Sequence, residues 1–149
     1  MTDTPRQSEF IKPLPGEKSV SLPTAKLFSA PFTTSALVAI TWFTSVRHYG
    51  LLDARDNVGC MVGIGVTGLI AFLSIFAISP WKIRPISLWA SAWLGATVIR
   101  FLTTPIAAYL LYSASHVNAK ALALSVAITY AACLGGEVWV LSLYLRRVA

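Results

Sequence analysis

Two charged residues stand inside long apolar runs, Arg100 in ASAWLGATVIRFLTTP and Glu137 in CLGGEVWVL. A guanidinium and a carboxylate so placed can pair with each other, line a polar path, or meet a charge on another protein. A third stretch, GIGVTG from Gly63 to Gly68, reads G-x-G-x-x-G, which cradles a dinucleotide pyrophosphate when it joins a strand to a helix. Here it lies in VGCMVGIGVTGLIAFLSIFAIS, Val58 to Ser79, 22 residues without a charge. The acid expected about 20 residues downstream is missing, because the first carboxylate after Asp56 is Glu137. No nucleotide site is expected; Gly59, Gly63, Gly65 and Gly68 are instead expected to thin one side of a membrane helix so that a neighbour can approach.

The other reactive side chains form no recognisable constellation. His48 and His116 fall in different loops with no third ligand, and Cys60 and Cys133 sit at different depths, which argues against both a metal set and a disulfide. No nucleophile, base and orienting group come together, so neither an enzyme nor a bound metal or cofactor is expected.

The elements that must hold Arg100 and Glu137 follow from composition. Among 149 residues 56% are hydrophobic and 12% charged, with mean hydropathy +0.68, against about 25% charged in soluble domains. The fold class expected is an all-α integral membrane bundle of four transmembrane helices, spanning about 27–46, 58–79, 88–112 and 121–145. Residues 27–149 then make one transmembrane domain and residues 1–26 a disordered cytoplasmic tail, which has four prolines and mixed charges but no apolar signal segment.

Orientation comes from Lys and Arg. The tail (Arg6, Lys12, Lys18, Lys26), the second loop (Lys82, Arg84) and the C-terminus (Arg146, Arg147) carry eight; the other two loops (Arg47, Arg55 and Lys120) carry three. The positive-inside rule puts both termini in the cytoplasm. The formal charge of +6 is scattered singly, which suits an anionic leaflet of the lipid bilayer and not a nucleic acid.

Local signals fix the boundaries. Asp56 and Asn57 can cap span 2, Ser79-Pro80 can close it, and Asn118 can cap span 4. The short link Trp81-Lys82-Ile83-Arg84-Pro85 makes spans 2 and 3 antiparallel neighbours. Trp42, Trp81, Trp89, Tyr109, Tyr112 and Tyr144 are expected in the interfacial belts. Pro31 and Pro105 each remove a backbone donor, and Thr103 or Thr104 can take up a carbonyl freed in span 3.

Arg100 lies near the middle of span 3. A central Arg costs about 2.5 to 3.5 kcal/mol on insertion scales, whereas an interhelical hydrogen bond returns only about 0.6 to 2 kcal/mol, so one neutral partner leaves a deficit. Counted from the cytoplasmic ends, Arg100 stands ~18 Å and Glu137 ~12 Å deep, and helical side chains slant toward their N-termini, so the two lean toward each other. Ala92, Gly95 and Ala96, with Gly135 and Gly136, would let spans 3 and 4 come close. The pair is expected to form within the bundle. The alternatives are snorkelling to the headgroups, with Glu137 snorkelling or protonated, and a charge supplied by another chain.

The layout resembles a known family. Four short spans, a Gly-rich second span, a third span WLGATVIRFLTTP with one mid-span basic residue after G-x-x-x-x-R at Gly95 to Arg100, and the basic end Leu145-Arg146-Arg147 together resemble ATP synthase protein I. The likeness covers about residues 27 to 147; the Pro-rich tail and Glu137 depart from it. The resemblance implies a small accessory protein of the bacterial cytoplasmic membrane that assists assembly or stability of the c-ring of the F-type ATP synthase, with a link to magnesium supply. It implies that Arg100 contacts the c subunit's intramembrane carboxylate. The competing expectations are a small ion or solute transporter using Arg100 and Glu137, and an accessory subunit of another complex; a homo-oligomer stays open.

Overall fold

The computed structural model describes residues 19–50 and 52–148, with backbone alone for Val20, Leu145, Arg147 and Val148. Residues 1–18, with Arg6, Lys12 and Lys18, lie outside the described residues. The elements run β1 (Ser19–Val20), α1 (Thr24–Tyr49), α2 (Ala54–Ile78), β2 (Arg84–Pro85), α3 (Ile86–Ser115) and α4 (Ala119–Val148). All four helices are long and apolar enough to cross a membrane. Each is longer than its expected span, because polar residues flanking the apolar runs (Thr24, Asp56, Ser115, Arg146) continue the helix; α2 is extended only at its start and stops at Ile78, one residue short of the expected end.

The ends have identifiable causes. Gly50 closes α1 in the left-handed region at φ 60°, its N–H bonded to Val46 O, a geometry glycine adopts without a Cβ clash. Asn118 Oδ1 accepts the backbone N–H groups of Lys120 and Ala121 and so caps α4 as expected. Asp56 does something else. The residue preceding α2 is Asp53, which makes no capping bond; Asp56, inside the first turn, accepts the backbone N–H of Asn118 at 2.9 Å. Arg55 Nη2 donates to Ser115 O at 2.9 Å. The start of α2 is thereby tied to the α3–α4 turn.

At the opposite end, residues 19–23, which fall within the expected tail, are clasped onto the bundle. β1 pairs antiparallel with β2, Leu22 N–H donates to Pro80 O, and the Tyr144 hydroxyl donates to Ser21 O. Leu22, 6% exposed, joins Leu27, Ile75, Ile78, Trp89 and Ala96 in an apolar cluster. Trp89 is therefore buried in the core, while Trp81, Tyr109 and Tyr112 are exposed. A second apolar cluster, Val117, Leu122 and Val126 with Ala108 and Leu111, closes the other end. Along α3 and α4, Arg100 and Glu137 fall between the two clusters.

Helix α4 packs along α1 and α2, and α2 also packs along α3, whereas α3 and α4 touch over much less of their length. The glycines explain the close contacts. A Cβ on Gly63 would stand 2.8 Å from Leu122 Cδ1, and one on Gly136 would stand 2.8 Å from Thr34 Cγ2; Gly59 and Gly68 are likewise closed off by Val117 and Ser35. Gly65, Gly95 and Gly135 face open space. The four glycines of α2 do not share one side, since residues advance ~100° each around a helix: Gly63 and Gly68 serve two different neighbours and Gly65 points outward.

Candidate functional site

Arg100 and Glu137 are 2% and 0% exposed, and Arg100 Nη1 stands 2.5 Å from Glu137 Oε2. The structure thus brings together the two residues that the sequence singles out. It does so without the expected close approach of α3 and α4. Gly136 packs on Thr34 of α1, Gly135 and Gly95 pack on nothing, and of the small residues only Ala96, with half-buried Ala92, lies in the core. The long side chains of Arg100 and Glu137 bridge a gap that small side chains would have closed.

Other groups complete the guanidinium's surroundings. Nε donates to Ser74 Oγ on α2, whose own hydroxyl hydrogen goes to Ala71 O at 2.7 Å, leaving lone pairs for Arg100. The guanidinium carbon lies 5.8 Å from the Trp93 ring centroid, within range of a cation–π attraction. Ser74 and Trp93 were missed by the sequence reading. Ser74 is the lone serine in the apolar run of α2, and Trp93 precedes Arg100 by seven residues, two helical turns on the same face; both signals were present.

The threonines differ from expectation. Thr103 Oγ1 donates to Ile99 O at 2.9 Å, not to the Phe101 carbonyl that Pro105 leaves without its partner. Thr104, 6% exposed, has no hydrogen-bond partner among the described residues, nor have Arg100 Nη2 and Glu137 Oε1.

The crevice between α3 and α4 is divided by this bridge. One part, about 400 Å3, is lined by Phe101, Thr104, Pro105, Val126, Ala127 and Tyr130. The other, about 350 Å3, is lined by Trp89, Trp93, Leu94, Thr97 and Leu141 among others. Both are apolar. A groove of about 480 Å3 runs between α1 and α2 over Ser35, Ala36, Ala39, Gly65 and Gly68.

The remaining candidates stay apart. Cys60 and Cys133 are free and buried, and Cys133 Sγ lies 3.4 Å from Ser35 Oγ. His48 stacks edge-on against Tyr49 near the end of α1, and His116 ends α3 in the left-handed region. Among the described residues no three His, Cys, Asp or Glu side chains gather as a metal set. What the site can do chemically is hold opposite charges against each other out of solvent and join the middle of α3 to α4 and to the last turns of α2. No family model, curated protein or solved structure matches the chain.

Proposed function

We propose that the chain is a multi-pass membrane accessory protein acting by contact between transmembrane helices, with both termini cytoplasmic. Its partners on this reading are the c subunits of a bacterial F-type ATP synthase, whose ring it helps to assemble or hold. The observation that carries the mode of action is where the charge is spent. Arg100 and Glu137 are turned against each other inside the bundle, while Leu37, Leu94, Ile99, Phe101 and Trp139 are exposed, a surface suited to hydrocarbon or other helices and not to water.

Helix α4 offers a face that suits such a partner. Ala123, Ala127, Ala131 and Gly135 recur every four residues and are all exposed, the spacing that lets membrane helices approach closely. The choice of c subunits rests on the likeness of WLGATVIRFLTTP and the four-span layout to ATP synthase protein I. Because Glu137 already engages Arg100, recognition of the c subunit falls to helix faces and not to a bare guanidinium.

The test is a deletion strain. Loss of the chain lowers the yield of assembled c-rings, the wild-type chain restores it, and Ala127→Phe with Ala131→Phe restores it poorly; c subunits co-purify with the tagged wild type. Full ring yield without the chain, and no c subunit on the tag, would reject the reading. Ion flux through liposomes holding the purified chain would favour transport instead.

A further inference from the structure

Beside the charge pair lies a small cavity of about 10 Å3 lined by Thr67, Ile70, Ala71, Arg100, Thr104, Tyr130, Cys133 and Leu134. We infer that this cavity is a binding site for one water molecule, held by Arg100 Nη2, Thr104 Oγ1 and Thr67 Oγ1, which gives the Nη2 end of the guanidinium an acceptor inside the bundle.

Size and chemistry both point there. A cavity holds a water when it offers about 10–15 Å3 and two to four polar partners. The cavity has that size and no more, which excludes a headgroup or an organic ligand. Among the described residues Nη2 is a charged donor without a protein acceptor, and Thr104 Oγ1 is a hydroxyl without a partner; both residues are more than nine-tenths buried. Thr67 supplies the third contact. Its hydroxyl hydrogen is committed to Gly63 O at 2.8 Å, so its oxygen keeps lone pairs for a donor. A water can accept from Nη2 and donate to the two threonine oxygens, which satisfies every hydrogen it carries.

Energy favours occupancy. A polar group buried without a hydrogen bond costs roughly 1–3 kcal/mol by mutational measures and more in hydrocarbon, while fixing a water costs about 0–2 kcal/mol. Here one water serves several groups at once. A monatomic cation is repelled by the guanidinium. An anion gains little, because Glu137 already neutralises Arg100. Thr104 and Tyr130 also line the larger α3–α4 crevice and form the wall between that apolar space and the water.

The experiment is water-edited solid-state NMR on the full chain in lipid bilayers, following polarisation from water protons to the Arg100 side-chain nitrogens, assigned by their loss in Arg100→Lys. Early transfer to Arg100 is expected, with none to the methyls of Leu27 and Ile75 in the apolar core. Thr104→Val, which keeps the volume and removes the hydroxyl, cuts the early transfer several-fold; Ala71→Val, which fills the cavity, abolishes it. In both variants the contact between Arg100 and the Glu137 carboxyl carbon persists. A guanidinium that stays dry in the wild-type chain overturns the inference without any variant, and so does transfer undiminished in Ala71→Val. The outcome is independent of whether c subunits are the partner.

Discussion

Replacing Glu137 by Gln preserves the side chain's shape and removes its charge, which isolates what the carboxylate does for Arg100. The groups meet at 2.5 Å and are 0% and 2% exposed, so bulk solvent cannot stand in for the lost carboxylate. Two independent routes give the magnitude. With charge centres ~4 Å apart and an effective dielectric of about 20, the attraction is about 4 kcal/mol; removing one partner of a buried pair costs about 3–5 kcal/mol in measured cases. Ser74 and Trp93 remain in place and continue to hold the cation, which puts the expected loss near the lower bound, about 3 kcal/mol. That is a fall of about 100-fold in the folding equilibrium, at 1.4 kcal/mol per factor of ten. The assay is reversible unfolding in bicelles for the wild type, Glu137→Gln, Arg100→Met and the double variant. A coupling of about 2 kcal/mol or more is expected from the cycle, with the double variant less damaged than the sum of the singles. Glu137→Gln within about 0.5 kcal/mol of wild type, or strict additivity, would refute the argument that the pair is spent inside this bundle.

Further expectations follow from neighbouring contacts. Gly63→Val drives a side chain into Leu122 and Val126 and is expected to cost about 1–3 kcal/mol as overpacking, whereas Gly65→Val, two residues away on the outward face, leaves the same unfolding midpoint almost unchanged. Ser74→Ala removes the acceptor of Arg100 Nε and is expected to cost about 1.5–3 kcal/mol, the range for a hydrogen bond to a charged group; a neutral result would count against Ser74 as a partner. Leu22→Ala empties a place in the apolar cluster at an expected cost of about 2 kcal/mol, the low end for Leu→Ala at the rim of a core. The same change should speed trypsin cleavage after Lys26, because β1 then loses its anchor. Single cysteines introduced at positions 82 and 118 of a cysteine-free chain should label from opposite sides of the membrane, that at 82 from the cytoplasm; labelling of both from one side would overturn the four-span topology.

The four helices were legible because each apolar run is long, nearly uncharged and bounded by capping or turn residues such as Asn118 and Ser79-Pro80. The charge pair was legible for the same reason: in a run without charges, one Arg and one Glu stand out, and their heights follow from counting residues. What could not be read was how the helices are arranged. Small residues at Gly65, Gly95 and Gly135 look identical in sequence to those at Gly63 and Gly136, yet only the latter pair meets a neighbour. Which face is used depends on the rotation of each helix, and apolar residues on every side leave no periodic pattern to reveal it. The clasp of residues 19–23 was hidden because a two-residue ladder and one buried leucine carry no local signature. Thr104 was read as a donor to a neighbouring carbonyl, and its unpartnered hydroxyl shows only when the cavity beside it is seen.

The arrangement gives the pair a role that apolar packing could not fill equally well. Helix α3 lies along α2 but leaves an open crevice toward α4 on both sides of the pair, so between the two end clusters apolar contact does little to hold it against α4. A guanidinium that must meet Glu137 on α4 and Ser74 on α2 together admits one register, since a shift by one residue along a helix moves a side chain ~1.5 Å and ~100°. Buried polar groups are best attested in this use, fixing register and not adding net stability. The ties at the two ends, Arg55 to Ser115 and the β1–β2 ladder, hold the termini of the same helix but leave its middle free. The charge pair therefore ties the middle of α3 to α2 and α4 between those ends, and it stands between the two parts of the crevice.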